Sequence, residues 1–344
     1  MLGKRNNTWM RYGRLAAGLA LAATSLTTSF SANADGSKGL VAFSQSGMEN
    51  EWRVVNTKEM EKAWRAAGYD FTWTNANWDP AKQLSDVQDL LSRKPKVLIV
   101  EPVEYEPAAP VPGLAQKAGV PLIVADRALP GEPGKNGWIT LLTISYEDTG
   151  ERVANDVVAQ LTKKNGKPQG KLLHVTGNTG AAPVLEEQKG LNAVFAKNPG
   201  IQFVGTCDGR YSRDGGRKCT EDFLQSFPKG SIDGIVFDSD DEMIGGLTAI
   251  KAAGRDDLKG YLWGKDGTAD GLHAILDGWA SYTVQTPPTF GAQAVKAYTD
   301  SQSGKPVAPV LYSDKKEFDA HTPEHRALIE QRLKELKAMG VGCC

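Results

Sequence analysis

Histidine and cysteine are scarce in this chain, with four of each among 344 residues. The catalytic signatures that depend on them are missing. There is no HExxH, and His321 and His325, spaced i, i+4 in "DAHTPEH", lack the glutamate of that zinc motif. No GxSxG elbow supplies a strained nucleophilic serine. No GxGxxG follows the first strand-like run, which argues against a dinucleotide site. The turn "TGNTGAAP" (176–183) could cradle a phosphate at a helix N-terminus, but it has no Walker lysine. Charge of one sign is also lacking, since the formal net charge is −1. Without a basic surface to neutralise phosphates, nucleic-acid binding is excluded. Long apolar runs are absent as well: the one near the start, 15–26, is too short to span a bilayer.

That run follows Lys4, Arg5, Arg11 and Arg14, with no acid before Asp35, and precedes "SANAD", where Ala32 and Ala34 are small. Residues 1–34 therefore read as a secretory signal peptide, and no cysteine follows the cut to take a lipid anchor. Cleavage would leave 310 residues with a net charge of −5, enough chain for two lobes with separate cores. Export to an oxidising compartment favours a disulfide, and Cys207–Cys219 is the best candidate, with two free thiols as the alternative. Cys343 and Cys344 are too close to bridge internally without strain.

From residue 38 onward short apolar runs alternate with amphipathic helices. "LVAFS" (40–44), "KVLIV" (96–100), "PLIVA" (121–125), "KLLHV" (171–175), "GIVF" (234–237) and "KGYLWG" (259–264) lack a two-residue alternation, as expected of strands covered on both faces. Asp79-Pro80 marks a helix start, and Ala81, Leu84, Val87, Leu90 and Leu91 share a face behind it. The fold class is α/β, with βαβ units and parallel sheets. The units are too many for one sheet, so the expected division is 38–140 plus about 286–312 in an N-terminal lobe. A C-terminal lobe takes 141–285 plus about 313–344.

The unusual polar residues lie just past strand ends, where open α/β sheets bind ligands. Trp52 and Arg53 follow the first strand, Asp126 and Arg127 the third, and "DSDDE" (238–242) and "GKDGTADG" (264–271) later ones. Carboxylates accept from hydroxyls, guanidiniums donate in fixed geometry and rings cover C–H faces, a set suited to a neutral polyol. Each feature has a plainer reading. Asp126-Arg127 could be a surface pair, worth roughly 0–1 kcal/mol. "DSDDE" could be an acidic capping turn or a cation site, although its spacing is not that of an EF-hand. His174 and Trp64 read as core residues. No catalytic residue, metal ligand or cofactor is assigned.

Several blocks, in order, resemble the periplasmic sugar-binding proteins of ABC importers, of the ribose- and galactofuranose-binding type. They are "FSQSGMENEWR", "DPAKQLSDVQDLL", "PLIVADR", "NTGAAPVLEEQKG", "DDEMIGGLTAIKAAG", "KDGTADGLHAILDG" and "VQTPP", covering about 38–312. The resemblance implies a type I binding-protein fold, two doubly wound parallel-sheet lobes on a multi-strand hinge. By position, Trp52 and Tyr211 look like aromatic walls, Asp126 and Arg127 like the first-lobe clamp, and Asp266 like the second-lobe carboxylate. Ser44 and Arg53 fall in the first block, Gln285 at a hinge-side polar contact, and Arg213 at an arginine common after the aromatic. There are departures. Glu187 stands where the family commonly has a ligand-binding arginine, Ser239 where an asparagine usually precedes the aspartate Asp240, and Trp78 where the family is often polar.

The resemblance implies a non-enzymatic periplasmic protein, a monomer, that hands a monosaccharide to a permease driven by an ATPase subunit. The ligand is galactofuranose-, ribose- or galactose-like, or, given the departures, another sugar, a polyol or one bearing a positive group. A sensor presenting ligand to a chemoreceptor is the alternative. Less favoured is an exported glycosidase pairing Glu187 with Asp266 or Asp240.

Overall fold

The computed structural model describes residues 36–48 and 50–343, so the expected signal peptide, 1–34, lies outside the described residues. The first strand, β1 (Leu40–Gln45), leads into α1 (Glu51–Ala66), whose N-cap Asn50 accepts from the Arg53 amide. There follow β2 (Asp70–Asn75), α2 (Pro80–Ser92), β3 (Val97–Val100), α3 (Val111–Ala118), β4 (Leu122–Ala125) and β5 (Trp138–Thr143). The start of α2 forms as its sequence dictates: Asp79 accepts from the Ala81 and Lys82 amides, and Pro80 occupies the first turn.

After β5 the chain enters a second set of elements. These are α4 (Tyr146–Asn165), β6 (Gln169–Thr176), α5 (Ala182–Phe195), β7 (Gly200–Asp208) and α6 (Arg213–Ser226). Next come β8 (Gly234–Phe237), α7 (Asp240–Ala252), β9 (Leu262–Asp266), α8 (Ala269–Leu276) and β10 (Tyr282–Gln285). The remainder is α9 (Gly291–Gln302), β11 (Val310–Tyr312), β12 (Glu317–Asp319) and α10 (Pro323–Met339).

The described strands form two six-stranded sheets, ordered β11-β5-β4-β3-β1-β2 and β12-β10-β9-β8-β6-β7. Pairing is parallel except between β10 and β12. The chain therefore crosses between sheets three times: between Thr143 and Tyr146, between Gln285 and Gly291, and between Tyr312 and Glu317. Each sheet is covered on both faces. Val41, Phe43, Ile99 and Ile123 face one apolar layer of the first sheet while Ala42, Leu98, Val100 and Val124 face the other. This double burial is why the strands read as unbroken apolar runs. Leu173, Ile235 and Leu262, and Leu172, Val236 and Trp263, divide the second sheet in the same way.

Trp64 is fully buried in the first lobe. His174 is buried too, with Nε2 2.7 Å from Asp238 Oδ1. Cys207 and Cys219 form a disulfide that ties the end of β7 to α6. Cys343 is disulfide-bonded as well. His321 and His325 do not converge. His321 pairs with Asp156 and His325 with Asp319, each at 2.7 Å, and no cluster suited to a metal ion occurs among the described residues.

Candidate functional site

The carboxyl ends of the two sheets face each other across a cavity of about 30 Å³. That is room for roughly two water molecules, and bonds from Asn50 to Tyr211 and from Tyr146 to Asp126 hold the lobes closed around it, so a sugar requires them to part further. The first lobe contributes Asn50, Trp52, Arg53, Asp126 and Arg127. Tyr146, Pro183, Tyr211, Lys265 and Asp266 come from the second, and Thr286 from a crossing segment.

Backbone geometry aims several of these side chains. Asp126, Tyr211 and Asp266 have φ of +60°, +54° and +114°, and Trp78 beside them has +62°. Non-glycine residues pay on the order of 1–3 kcal/mol for such conformations, which persist where surrounding bonds enforce them. At Asp126 the amide donates to Leu142 O at 2.8 Å and the carbonyl accepts from the Thr143 hydroxyl. The amide of Tyr211 donates to Glu242 Oε1 at 2.7 Å. A side chain on Gly177 would overlap the Tyr211 ring, which explains one glycine of the "TGNTG" turn. The amides of that turn are occupied by the fold's own carboxylates: Gly177 donates to Asp238 and Thr179 to Asp208. It is not set up as a phosphate cradle.

Cations and rings alternate across the cleft. Arg53 lies 4.5 Å from the Trp52 ring and 5.7 Å from that of Trp78. Arg127 is 4.7 Å from the Trp78 ring and 5.2 Å from the Tyr211 ring. Lys265 Nζ continues the series at 5.2 Å from Tyr211 and 5.4 Å from Tyr146. Carboxylates bind the same cations from behind. Arg53 bonds Glu101 at 2.6 Å and Asp126 at 2.9 Å, Arg127 is 3.4 Å from Asp126, and Lys265 bonds Glu187 at 2.6 Å. Tyr146 donates to Asp126 across the cleft, and Thr286 donates to Asp266.

Burial alone would raise the Asp126 carboxyl, but Arg53 and Arg127 outweigh it and hold it below its usual value. Burial pushes Glu101 up to about 7 against the pull of Arg53, and Asp266 to about 7 against that of Lys265. It pushes Glu187 to about 8, again opposed by Lys265. Lys265 itself, despite burial, is held above its usual value by Glu187.

Of the residues singled out in the sequence, Trp52, Arg53, Asp126, Arg127, Tyr211 and Asp266 surround the cavity. The others are placed differently. Glu187 lies behind Lys265 and does not line the cavity. Trp78 packs between two guanidiniums at its edge. Arg213 is 53% exposed, does not line the cavity, and pairs with Asp241 and Asp270 in the first turns of α7 and α8. Ser239 caps α7 by accepting from the Glu242 amide, and Asp240 accepts from Thr268 and Thr283 beneath the strand ends. Thus the "DSDDE" carboxylates serve internal bonds. Ser44 is buried at the end of β1, where its hydroxyl accepts from Gln83. Gln285 ends β10 and bonds through its amide to Lys316 O, while its neighbour Thr286 reaches the cavity.

Sequence reasoning missed Lys265, Tyr146, Thr286, Asn50 and Pro183. Lys265 had a visible signal in its position one residue before Asp266 at a strand end. Side chains of adjacent strand residues normally point to opposite faces, and the positive φ at Asp266 is what brings both to one cavity.

Residues 41–306 match the family model described as the periplasmic binding protein domain. The chain belongs to the periplasmic binding protein family. This is a family of binding proteins rather than enzymes, and its type I fold is the pair of six-stranded sheets described above. Among curated relatives, the chain is 26% identical to the ribose import binding protein of Escherichia coli over 83% of this chain and 92% of the relative. It is 26% identical to the galactofuranose-binding protein of the same organism, over 75% of this chain and 80% of that one. A Mycobacterium smegmatis protein solved in complex with β-D-fucofuranose superposes with a TM-score of 0.77 at 28% identity. That match covers 87% of this periplasmic binding protein and 96% of the other.

Proposed function

We infer that the protein is the sugar-binding component of an ABC importer, taking a monosaccharide into the cleft between its lobes. One observation carries this reading: in a chain of this family, an acid–base pair from one lobe faces an acid–base pair from the other across a single cavity. The first pair is Asp126-Arg127 and the second is Lys265-Asp266. Relatives named for ribose and galactofuranose, and one solved with fucofuranose, support a neutral sugar of that size.

Arg127 and Lys265 would donate to ring and hydroxyl oxygens, and Asp266 would accept from a hydroxyl. Trp52 and Tyr211 would cover the C–H faces. Because both lobes contribute, ligand favours the closed arrangement by the difference between its closed- and open-form affinities. The closed protein then presents both lobes to the permease in the periplasm, and the ATPase subunit drives release. Glu187 would act through Lys265, holding its ammonium, rather than touch sugar.

The test is a thermal-shift and calorimetric panel of D-ribose, L-arabinose, D-galactose, D-fructose and xylitol. A ligand at ~100 times its dissociation constant stabilises by roughly 2.7 kcal/mol. Failure of every sugar and polyol to stabilise the protein would overturn the reading.

A further inference from the structure

The last described residues touch both lobes. Helix α10 packs on α8 and buries Ile329 and Leu336 in the second-lobe core. It ends at Gly340, with φ +69°, and Val341 still packs against that core. Gly342 then faces two ways. Its carbonyl accepts from the Ala269 amide at 2.7 Å, satisfying one of the free N–H groups at the start of α8. Its amide donates to Glu51 Oε1 at 2.8 Å, at the start of α1 in the first lobe. A Cβ on Gly342 would press on the Glu51 carboxylate, which would have to shift to keep the bond. Cys343 is buried in the first-lobe apolar cluster that contains Trp52 and Phe290.

Glu51 stands between Asn50 and Trp52, both of which line the cavity. Asn50 also donates across the cleft to Tyr211 O at 3.2 Å. Whatever ties Glu51 to the second lobe therefore ties down one wall of the site.

We propose that Val341–Cys343 is a clasp that holds the lobes closed and positions the Asn50–Trp52 wall. Hinge opening moves α1 away from α8. The tail must then either give up the Glu51 bond and withdraw Cys343 from its cluster, or leave α8 with an unpartnered amide. Either loss falls on the open form alone, whatever the ligand. The clasp raises the closed-to-open ratio before any ligand arrives, and so lowers the adjustment that binding requires.

Small-angle scattering of the ligand-free protein tests this without knowledge of the sugar, so its outcome is separate from that of the function proposed above. Three variants are compared with the full chain: deletion of residues 341–344, Glu51→Ala and Glu51→Gln. Deletion should enlarge the particle beyond the roughly 20 Å radius of gyration of a compact chain this long. Glu51→Ala should raise the open-to-closed ratio about tenfold, or ~1.4 kcal/mol. Glu51→Gln keeps an acceptor oxygen and should stay near wild type. A folded deletion variant that scatters as the wild type does, or a wild type already as large as that variant, would overturn the proposal. Should the deletion prevent folding, Glu51→Ala decides alone, because it leaves the α8 contact and the buried Cys343 in place. An unchanged profile there is equally fatal.

Discussion

Glu187 and Lys265 form an ion pair 2.6 Å long with each side chain 5% exposed, one on α5 and the other on β9. Where relatives are expected to carry an arginine, the acid stands on the helix and the cation comes from the strand beside Asp266. Glu187→Arg would therefore not restore a family contact. It would bury a second cation against Lys265, and breaking a buried pair in this way costs about 3–5 kcal/mol. The expected result is a melting temperature well below wild type. Glu187→Gln should cost less than Arg, since its amide oxygen can still accept from Lys265 and no second cation is introduced. Equal stability of the Arg and Gln variants in a denaturant titration would refute the arrangement.

Arg127→Ala removes the cation between the Trp78 and Tyr211 rings and a donor to the cavity. Asp126 keeps its bond to Arg53, so the fold should survive. Binding of the sugar that stabilises the wild type should weaken at least ~10-fold, as for loss of one hydrogen bond to a charged group. Asp266→Ala should weaken it similarly from the second lobe. Calorimetry on folded variants decides: wild-type affinity in either would remove that residue from the ligand shell.

The strands and half of the site were legible for the same physical reason. Runs such as "LVAFS" and "GIVF" are apolar on both faces because helices cover both faces, and residues just past them necessarily face the cleft. β2 and β7 escaped notice because they are edge strands with partly exposed, mixed sequences. β5, "WITLLT", is wholly buried but hides two threonines whose hydroxyls bond to Ala308 O and Asp126 O. Tyr146 was illegible, and Lys265 legible only by its place beside Asp266, for another reason. A tyrosine in a first helical turn and a lysine in a strand ordinarily face solvent, and only the lobe closure and the positive φ at Asp266 turn them inward.

Glu101, Glu187 and Asp266 share one pH consequence. Each is raised by burial, to about 7, 8 and 7. A carboxyl raised on folding binds more protons folded than unfolded, so its contribution is fully present below the unfolded value and is lost as pH rises through the folded one. Stability should therefore fall as pH rises from ~4.5 towards ~8. The lowered Asp126 and Asp238 act oppositely and only at acid pH, where their contribution is lost. Melting temperatures at pH 5 and pH 8 should differ in favour of pH 5, and Glu187→Gln should shrink the difference. A flat profile between those values would contradict the burial argument.

The Cys207–Cys219 disulfide brackets the turn that presents Tyr211, with Arg210 and Tyr211 both at positive φ. Closing a loop with a sequence separation of 12 limits the unfolded chain, an effect of about 3 kcal/mol for loops of ~15 residues. It also limits how far Tyr211 can swing from the cleft, because β7 is fixed in the sheet and α6 is packed on α7. Two effects should follow in the Cys207→Ser/Cys219→Ser variant. Global stability should fall, and sugar affinity should fall as well, even at temperatures where the variant is fully folded. Comparison with Tyr211→Ala separates them. If the disulfide acts through Tyr211, removing it in a Tyr211→Ala background should lower stability but leave affinity where Tyr211→Ala alone puts it. A further loss of affinity in that triple variant would show that the bridge shapes the site by another route.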